Sequence, residues 1–310
     1  MISTPVLLIG FNRPEHIRNV MLTLIELGVR NLYVSLDGPR GPSDQMNCFK
    51  TYEQVVKLKN NFNLKVVSRQ DNLGCCLAVV SALDWFYSQV DFGVIFEDDC
   101  MPTNATFKFF QEYQIKSTIY DSLGISIATA HNPFGSLPNN TPTKHVFIHG
   151  WATKANTWQM IRTDFFTVKR PCTKNIIGEK RSGAEAIFWW ASATRARLGK
   201  VDTWDGMFYD RVWTLGIKTL LPSDNLIRNI GYGKDSTHTF IERKLSRQVP
   251  NIRLPAQIID KYLKKYYFGI KAYHLFTPIL KVFLDSIRAN RKIDFEYKLL
   301  QDRRERVEIT

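Results

Sequence analysis

Apolar runs and amphipathic stretches alternate along the first 120 residues with the spacing of strand–helix units. "PVLLIGF" (5–11) reads as a buried strand, and Pro14 suits the first turn of the helix that follows. That helix sets Ile17, Val20, Met21, Leu24 and Leu27 on one face, and Gly28 stops it. "NLYVSLDG" is a second strand ending in Asp37-Gly38. After a loop rich in Gly, Pro and Ser, "TYEQVVKLKNNF" is helical and "NLKVVSR" is a third strand. "DNLG" opens a helix running through Trp85, with Asp71 or Asn72 as candidate N-cap. "FGVIF" is the fourth strand, and Asn104 to Tyr120 is one amphipathic helix. This order predicts an α/β fold with a parallel sheet and short crossovers.

In such a sheet, ligands bind beyond the carboxyl ends of the strands. Those ends carry Asn12-Arg13, Asp37-Gly38, Arg69 with Asp71-Asn72, and Glu97-Asp98-Asp99. Three adjacent carboxylates repel one another, so a cation or charged ligand is expected at the fourth end. All-oxygen ligation suits Mg²⁺ or Mn²⁺, and departure of a nucleoside diphosphate is the chemistry most in need of that charge. A solvated acidic turn is the plain alternative. "IGFNRPEH" lacks GxGxxG and no P-loop occurs, which excludes those two nucleotide sites.

The chain has 310 residues, 44% of them hydrophobic, enough for a large core. No run of about 18 apolar residues occurs, so a soluble or peripheral cytoplasmic protein is expected. Five cysteines without a CxxC pair suggest neither zinc nor a disulfide framework. The net charge of +13 is uneven: Lys144 to Lys200 holds 11 Lys/Arg against 3 Asp/Glu, and Pro255 to Thr310 holds 12 against 7. Such asymmetry suits a polyanionic partner (nucleic acid, acidic lipid or a phosphorylated substrate), a merely solubilising basic surface being the plain alternative. No helix-turn-helix, RRM or zinc-finger signal supports nucleic acid.

"VIFEDDCMPTNATFKFF", "LLIGFNRPEHI", "YVSLDG", "WDG" at 204–206 and "GKDSTHT" at 233–239 occur in the order of a known family. Over residues 4 to 240 the chain resembles the GT-A nucleotide-sugar glycosyltransferases, in particular the N-acetylglucosaminyltransferase I branch and bacterial transferases similar to it. The Glu-Asp-Asp match is the specific one; the later matches are short. The resemblance implies a GT-A (Rossmann-like) catalytic domain over 1–250, with a nucleotide-binding half to about 125 and an acceptor half from about 126. Residues 251–310 follow as a basic, aromatic-rich helical extension. It implies that Asp99 ligates the metal, with Asp98 and Glu97 toward ribose or water ligands. Arg13 meets the diphosphate or the base, Asp37 hydrogen-bonds the base (uracil by preference), and Arg69 and Asn72 lie nearby. Asp205 is the general base and His238 closes over the metal or diphosphate, metal ligation being one option for it.

The expected activity is metal-dependent, inverting transfer of a hexosyl or N-acetylhexosaminyl group from a UDP-sugar. The expected acceptor is a saccharide, free or lipid-linked, in bacterial surface glycan synthesis. One carboxylate suffices to activate an acceptor hydroxyl, and Asp205 lies among aromatics. Trp151, Trp158, Trp204 and Trp213 are candidates for a sugar-stacking floor, Trp151 and Trp204 foremost, with core packing the alternative for each. Glu185 is a rival base. The tail's mixture of Lys, Tyr, Phe and Leu suits an anionic membrane surface, or equally packing on the catalytic domain or oligomer formation. A nucleotidyltransferase lacks its GxGTR-type signature here, and a non-catalytic basic module would not need the acids.

Overall fold

The computed structural model describes residues 1–167, 183–231 and 307–309, without the side chains of 183–189 and 307–309. The chain forms two compact units, one of residues 1–158, 218–253 and 305–310, the other of 159–217 and 254–304.

The first unit is built on a mixed sheet. Four strands run parallel side by side, β1 (Val6–Gly10), β2 (Asn31–Leu36), β3 (Asn63–Ser68) and β4 (Phe92–Glu97), and a second parallel pair lies further along the sheet. The strand order is β11-β3-β2-β1-β4-β8-β6-β9-β7. Here β6 is Ile125–Thr129, β7 Thr141–Thr143, β8 Trp151–Lys154, β9 Lys218–Leu221 and β11 Val307–Ile309. The last of these closes the edge of β3 in antiparallel register. β8 runs antiparallel between β4 and β6, so its first residue sits at the end where β4 and β6 finish. Outside this sheet, β5 (Cys100–Pro102) pairs antiparallel with β10 (Ile227–Asn229).

Every residue of β1 is buried, and so is β4 up to Phe96, as continuous apolar runs covered on both faces should be. α1 (Pro14–Glu26) buries Ile17, Val20, Met21 and Leu24 against that sheet, and Gly28 follows at φ +78°. α3 (Gly74–Tyr87) covers it too; a Cβ on Gly93 of β4 would lie 2.2 Å from the Phe86 ring. That approach is why an uncharged, side-chain-free residue interrupts an otherwise bulky strand.

Three local expectations change. α2 is Pro42–Leu58, starting nine residues before Thr51, because Pro42 pre-sets the first turn. The cap of α3 is Leu73; Asn72 Oδ1 only accepts from Gly74 N at 3.1 Å, since its amide is turned to Asp37. The helix expected over 104–120 is two, α4 (Asn104–Ile115) and α5 (Ser117–Ser122), broken where Lys116 leaves helical geometry at ψ 9°. A Thr103–Thr106 capping box starts α4.

α6 (Ala155–Arg162) leads from the first unit into the second, which contains α7 (Gly183–Arg197) and α8 (Asp205–Thr214). There the Arg197 side chain, 2% exposed, pairs with Asp210 at 2.8 Å and donates to Phe165 O. Among the described residues no helix is long and apolar enough to cross a membrane.

Candidate functional site

The carboxyl ends of β1, β2, β3 and β4 lie side by side, and each carries polar side chains. At the end of β2, Asp37 is 7% exposed. Its Oδ1 accepts from the N–H groups of Gly38 (3.0 Å) and Leu73 (2.9 Å), and its Oδ2 from Asn72 Nδ2 (2.9 Å). Burial raises its pKa to about 6, against the pull of those hydrogen bonds and of Arg69. Gly38 is needed here for space: a Cβ would meet the Asp71 backbone at 2.5 Å. Arg69, at the end of β3, braces the socket by donating to Ser35 Oγ (2.9 Å) and Ser81 Oγ (2.8 Å). Asp37, Arg69 and Asn72 are therefore one assembly.

At the end of β1, Asn12 donates to Asp44 Oδ1 at 2.8 Å. Arg40 forks onto the same carboxylate at 2.6 and 3.0 Å and lies over the Phe11 ring. The Arg40 hydrogen bonds chiefly hold Asp44 below the usual carboxylate range. Sequence reading missed this pair; its signal was the i, i+4 spacing across the start of α2.

At the end of β4 the acids divide. Asp98 points inward and is 6% exposed; Arg13 Nη1 lies 3.2 Å from its Oδ1. Burial raises the Asp98 pKa to about 6, Arg13 opposing and Asp99 adding to the rise. Arg13 Nη1 is also 3.5 Å from Asp99 Oδ2. The Asp99 Oδ1 accepts from the Cys100 thiol at 3.4 Å, and the main-chain oxygen of Asp99 accepts from Ile230 N at 2.8 Å. The β5–β10 ladder thereby brings Gly231 against the carboxylate, where a Cβ would sit 2.3 Å from Asp99 Oδ2. Nε2 of His16, on α1, lies 3.3 Å from the Ile230 carbonyl oxygen. Glu97 closes β4 opposite Ile9.

Two histidines absent from the sequence reading complete this edge. His131 follows β6 and His149 precedes β8, their rings 5.2 Å apart and perpendicular. Burial lowers both pKa values, His131 to about 4, while Asp99 draws His149 the other way. Their signal was topological, since the pairing of β8 with both β4 and β6 brings the two together.

The four tryptophans are packed: Trp151 and Trp158 are 1% exposed, Trp204 3% and Trp213 9%. Trp158 donates from Nε1 to Asp84 at 2.8 Å. Trp151 and Trp204 therefore lie in the interior of their units. In the second unit Asp205 opens α8. Its Oδ1 accepts from Thr203 Oγ1 (2.5 Å) and Gly206 N (2.6 Å), which leaves Oδ2 for another partner. His238 and the tail except Val307–Ile309 lie outside the described residues, as does the Glu185 side chain; those three residues form strand β11 where a helical extension was expected.

Among the described residues no three His, Cys, Asp or Glu side chains converge to hold a metal ion. What the end of β4 offers instead is two partly exposed carboxylates, Glu97 and Asp99, on either side of the buried Asp98. That set fits a hard cation that takes most of its oxygen ligands from a bound substrate and water.

No family model matches this chain, and no curated protein does. Among solved structures, a Bacillus anthracis protein assigned as a glucose-1-phosphate thymidylyltransferase, in complex with sucrose, aligns at TM-score 0.33 and 6% identity. The alignment covers 65% of this chain and 85% of that one. HddC from Yersinia pseudotuberculosis aligns at 0.31 and 10% identity, over 50% and 78%. The apo WbbM bifunctional glycosyltransferase aligns at 0.32 and 10% identity, over 68% of this chain and 37% of WbbM. Scores of this size leave any assignment to rest on the chain's own residues. Those residues form a mixed α/β unit with a polar rim at the carboxyl ends of its parallel strands.

Proposed function

We propose that this chain is a GT-A-type, metal-dependent glycosyltransferase. It moves a hexosyl or N-acetylhexosaminyl group from a UDP-sugar to a saccharide hydroxyl with inversion. The observation that carries the reading is the acidic run at the carboxyl end of β4, beside Arg13 of the adjoining β1 end and two strands from the buried Asp37 socket.

In this reading Asp37 accepts from the imide N–H of the base, steadied by Asn72 and by the Arg69 brace. Asp99 holds the cation, with Glu97 and Asp98 behind it and His238 as a further candidate. The cation, Mn²⁺ or Mg²⁺, supplies positive charge for the leaving diphosphate. Arg13 presents its guanidinium to the phosphates. Asp205 takes the acceptor proton on Oδ2, the oxygen its local hydrogen bonds do not use. The basic, aromatic extension from residue 251 supports a station on anionic membrane, near a lipid-linked glycan acceptor.

Thermal-shift screening of UDP-, GDP- and dTDP-sugars with and without Mn²⁺ tests donor and metal together. We expect stabilisation by a UDP-sugar that depends on Mn²⁺ and is lost in Asp99→Ala. Stabilisation by a nucleoside triphosphate with a sugar phosphate, and by no nucleotide-sugar, would turn the reading to nucleotidyl transfer.

A further inference from the structure

We infer that Arg13 is the resident countercation of the acidic run and that it makes metal binding conditional on the nucleotide. The inference rests on the reading of Asp99 as the metal ligand.

Glu97, Asp98 and Asp99 follow one another at the end of a buried strand, and Asp98 is enclosed. A carboxylate so placed needs a partner charge to offset its lost hydration. Arg13 supplies it from the neighbouring strand end. One nitrogen, Nη1, stands 3.2 Å from Asp98 and 3.5 Å from Asp99, with the three side chains only 17%, 8% and 17% exposed. The pair is therefore shielded from most of the screening that weakens surface ion pairs.

The Asp99 carboxylate is also engaged on its other sides. Oδ1 takes the Cys100 thiol, and Oδ2 faces both Arg13 and the Gly231 backbone. A divalent ion approaching Asp99 alone meets a fixed positive charge within a few ångströms and, among the described residues, no further cluster of protein ligands. A nucleoside diphosphate changes both terms. Its phosphates add oxygen ligands for the ion and give the guanidinium a second anion to face. Arginine suits this exchange because its five N–H donors can hold a carboxylate and a phosphate at once. Arg13 thus offsets part of the acids' charge in the absence of donor, and the ion binds together with the donor.

Removing a unit charge about 6 Å from a dication should tighten binding of the dication about tenfold even with water-like screening, and by more for groups this shielded. The test is electron paramagnetic resonance titration of Mn²⁺, free against bound, on the full-length protein without nucleotide and then with UDP. Arg13→Gln and Arg13→Met remove the charge with two different side chains, so one of them remains informative if the other misfolds. Arg13→Lys keeps the charge. We expect nucleotide-free Mn²⁺ affinity to rise at least about tenfold in the two neutral variants and to stay near the parental value in Arg13→Lys. The enhancement of Mn²⁺ binding by UDP should shrink in the neutral variants. Neutral variants that bind Mn²⁺ no tighter than the parent, while Asp99→Asn weakens Mn²⁺ binding with UDP, would overturn this inference and leave the metal reading intact. Undiminished Mn²⁺ binding with UDP in Asp99→Asn would overturn both.

Discussion

Replacing Asp37 by Asn should make the protein more stable at neutral pH and worse at binding nucleotide. The folded carboxyl has a pKa of about 6 against an ordinary 3.8, so the native state binds this proton more tightly than the unfolded chain. With that sign, the group's contribution is fully present below pH 3.8 and is lost as pH rises through 6. Two pKa units at about 1.4 kcal/mol each make the loss roughly 3 kcal/mol. Asn carries no charge at any pH. Its carbonyl oxygen can keep the two backbone bonds now made to Oδ1, but its amide then faces the Asn72 amide, donor to donor. That lost bond costs about 1 kcal/mol. The variant should therefore be about 1 kcal/mol less stable at pH 4 and about 2 kcal/mol more stable at pH 7, the curves crossing between. Urea unfolding of parent and variant at pH 4, 5, 6 and 7 measures this. Taking the difference between the two removes the slope due to Asp98, whose pKa is also raised to about 6. A difference constant across that range would refute the reasoning. UDP affinity should drop in the variant, because an acceptor has been replaced by a donor where the base is expected.

Three further outcomes follow from positions described above. Asp205→Asn should slow transfer by about 10²-fold with donor binding nearly unchanged, and product NMR should show inversion for the parent; a parental rate in the variant removes Asp205 as base. Gly231→Ala puts a methyl group where Asp99 Oδ2 now lies, so transfer should fall by about 10²-fold while the melting temperature holds; unchanged kinetics would show that this carboxylate's position is immaterial. Gly93→Ala drives a methyl group into the Phe86 ring and should cost about 1–3 kcal/mol in urea unfolding, with no specific effect on binding.

The parallel half of the fold was legible because strands buried on both faces spell continuous apolar runs, and the first polar residue after each run marks its carboxyl end. That is how Arg13, Asp37, Arg69 and the three acids stood out before any geometry was known. What stayed hidden depends on partners distant in sequence. Nothing near Gly231 announces Asp99, and nothing near His149 announces His131; β10 and the antiparallel β8 create those neighbours. Local rules also misled where a second use competed. Asn72 looks like a helix cap, but its amide is bound to Asp37 and to Gly38 O. The tryptophans of "HGWATKANTW" look like a sugar platform, yet Trp151 and Trp158 fill the interior.

The β5–β10 ladder has a consequence for how the protein is made. The turn after the acidic run is clasped by a segment far along the chain, as in the bond from Thr106 Oγ1 to Leu226 O, which spans 120 residues. On the ribosome, β1 to β4 can emerge and pair while that segment is still unsynthesised, because domains begin to assemble from the N-terminus during synthesis. The nascent chain therefore carries a sheet with an unclasped acidic edge until Ile230 has cleared the exit tunnel. Premature termination before that point leaves a fragment with most of the parallel sheet and no fixed position for Asp99.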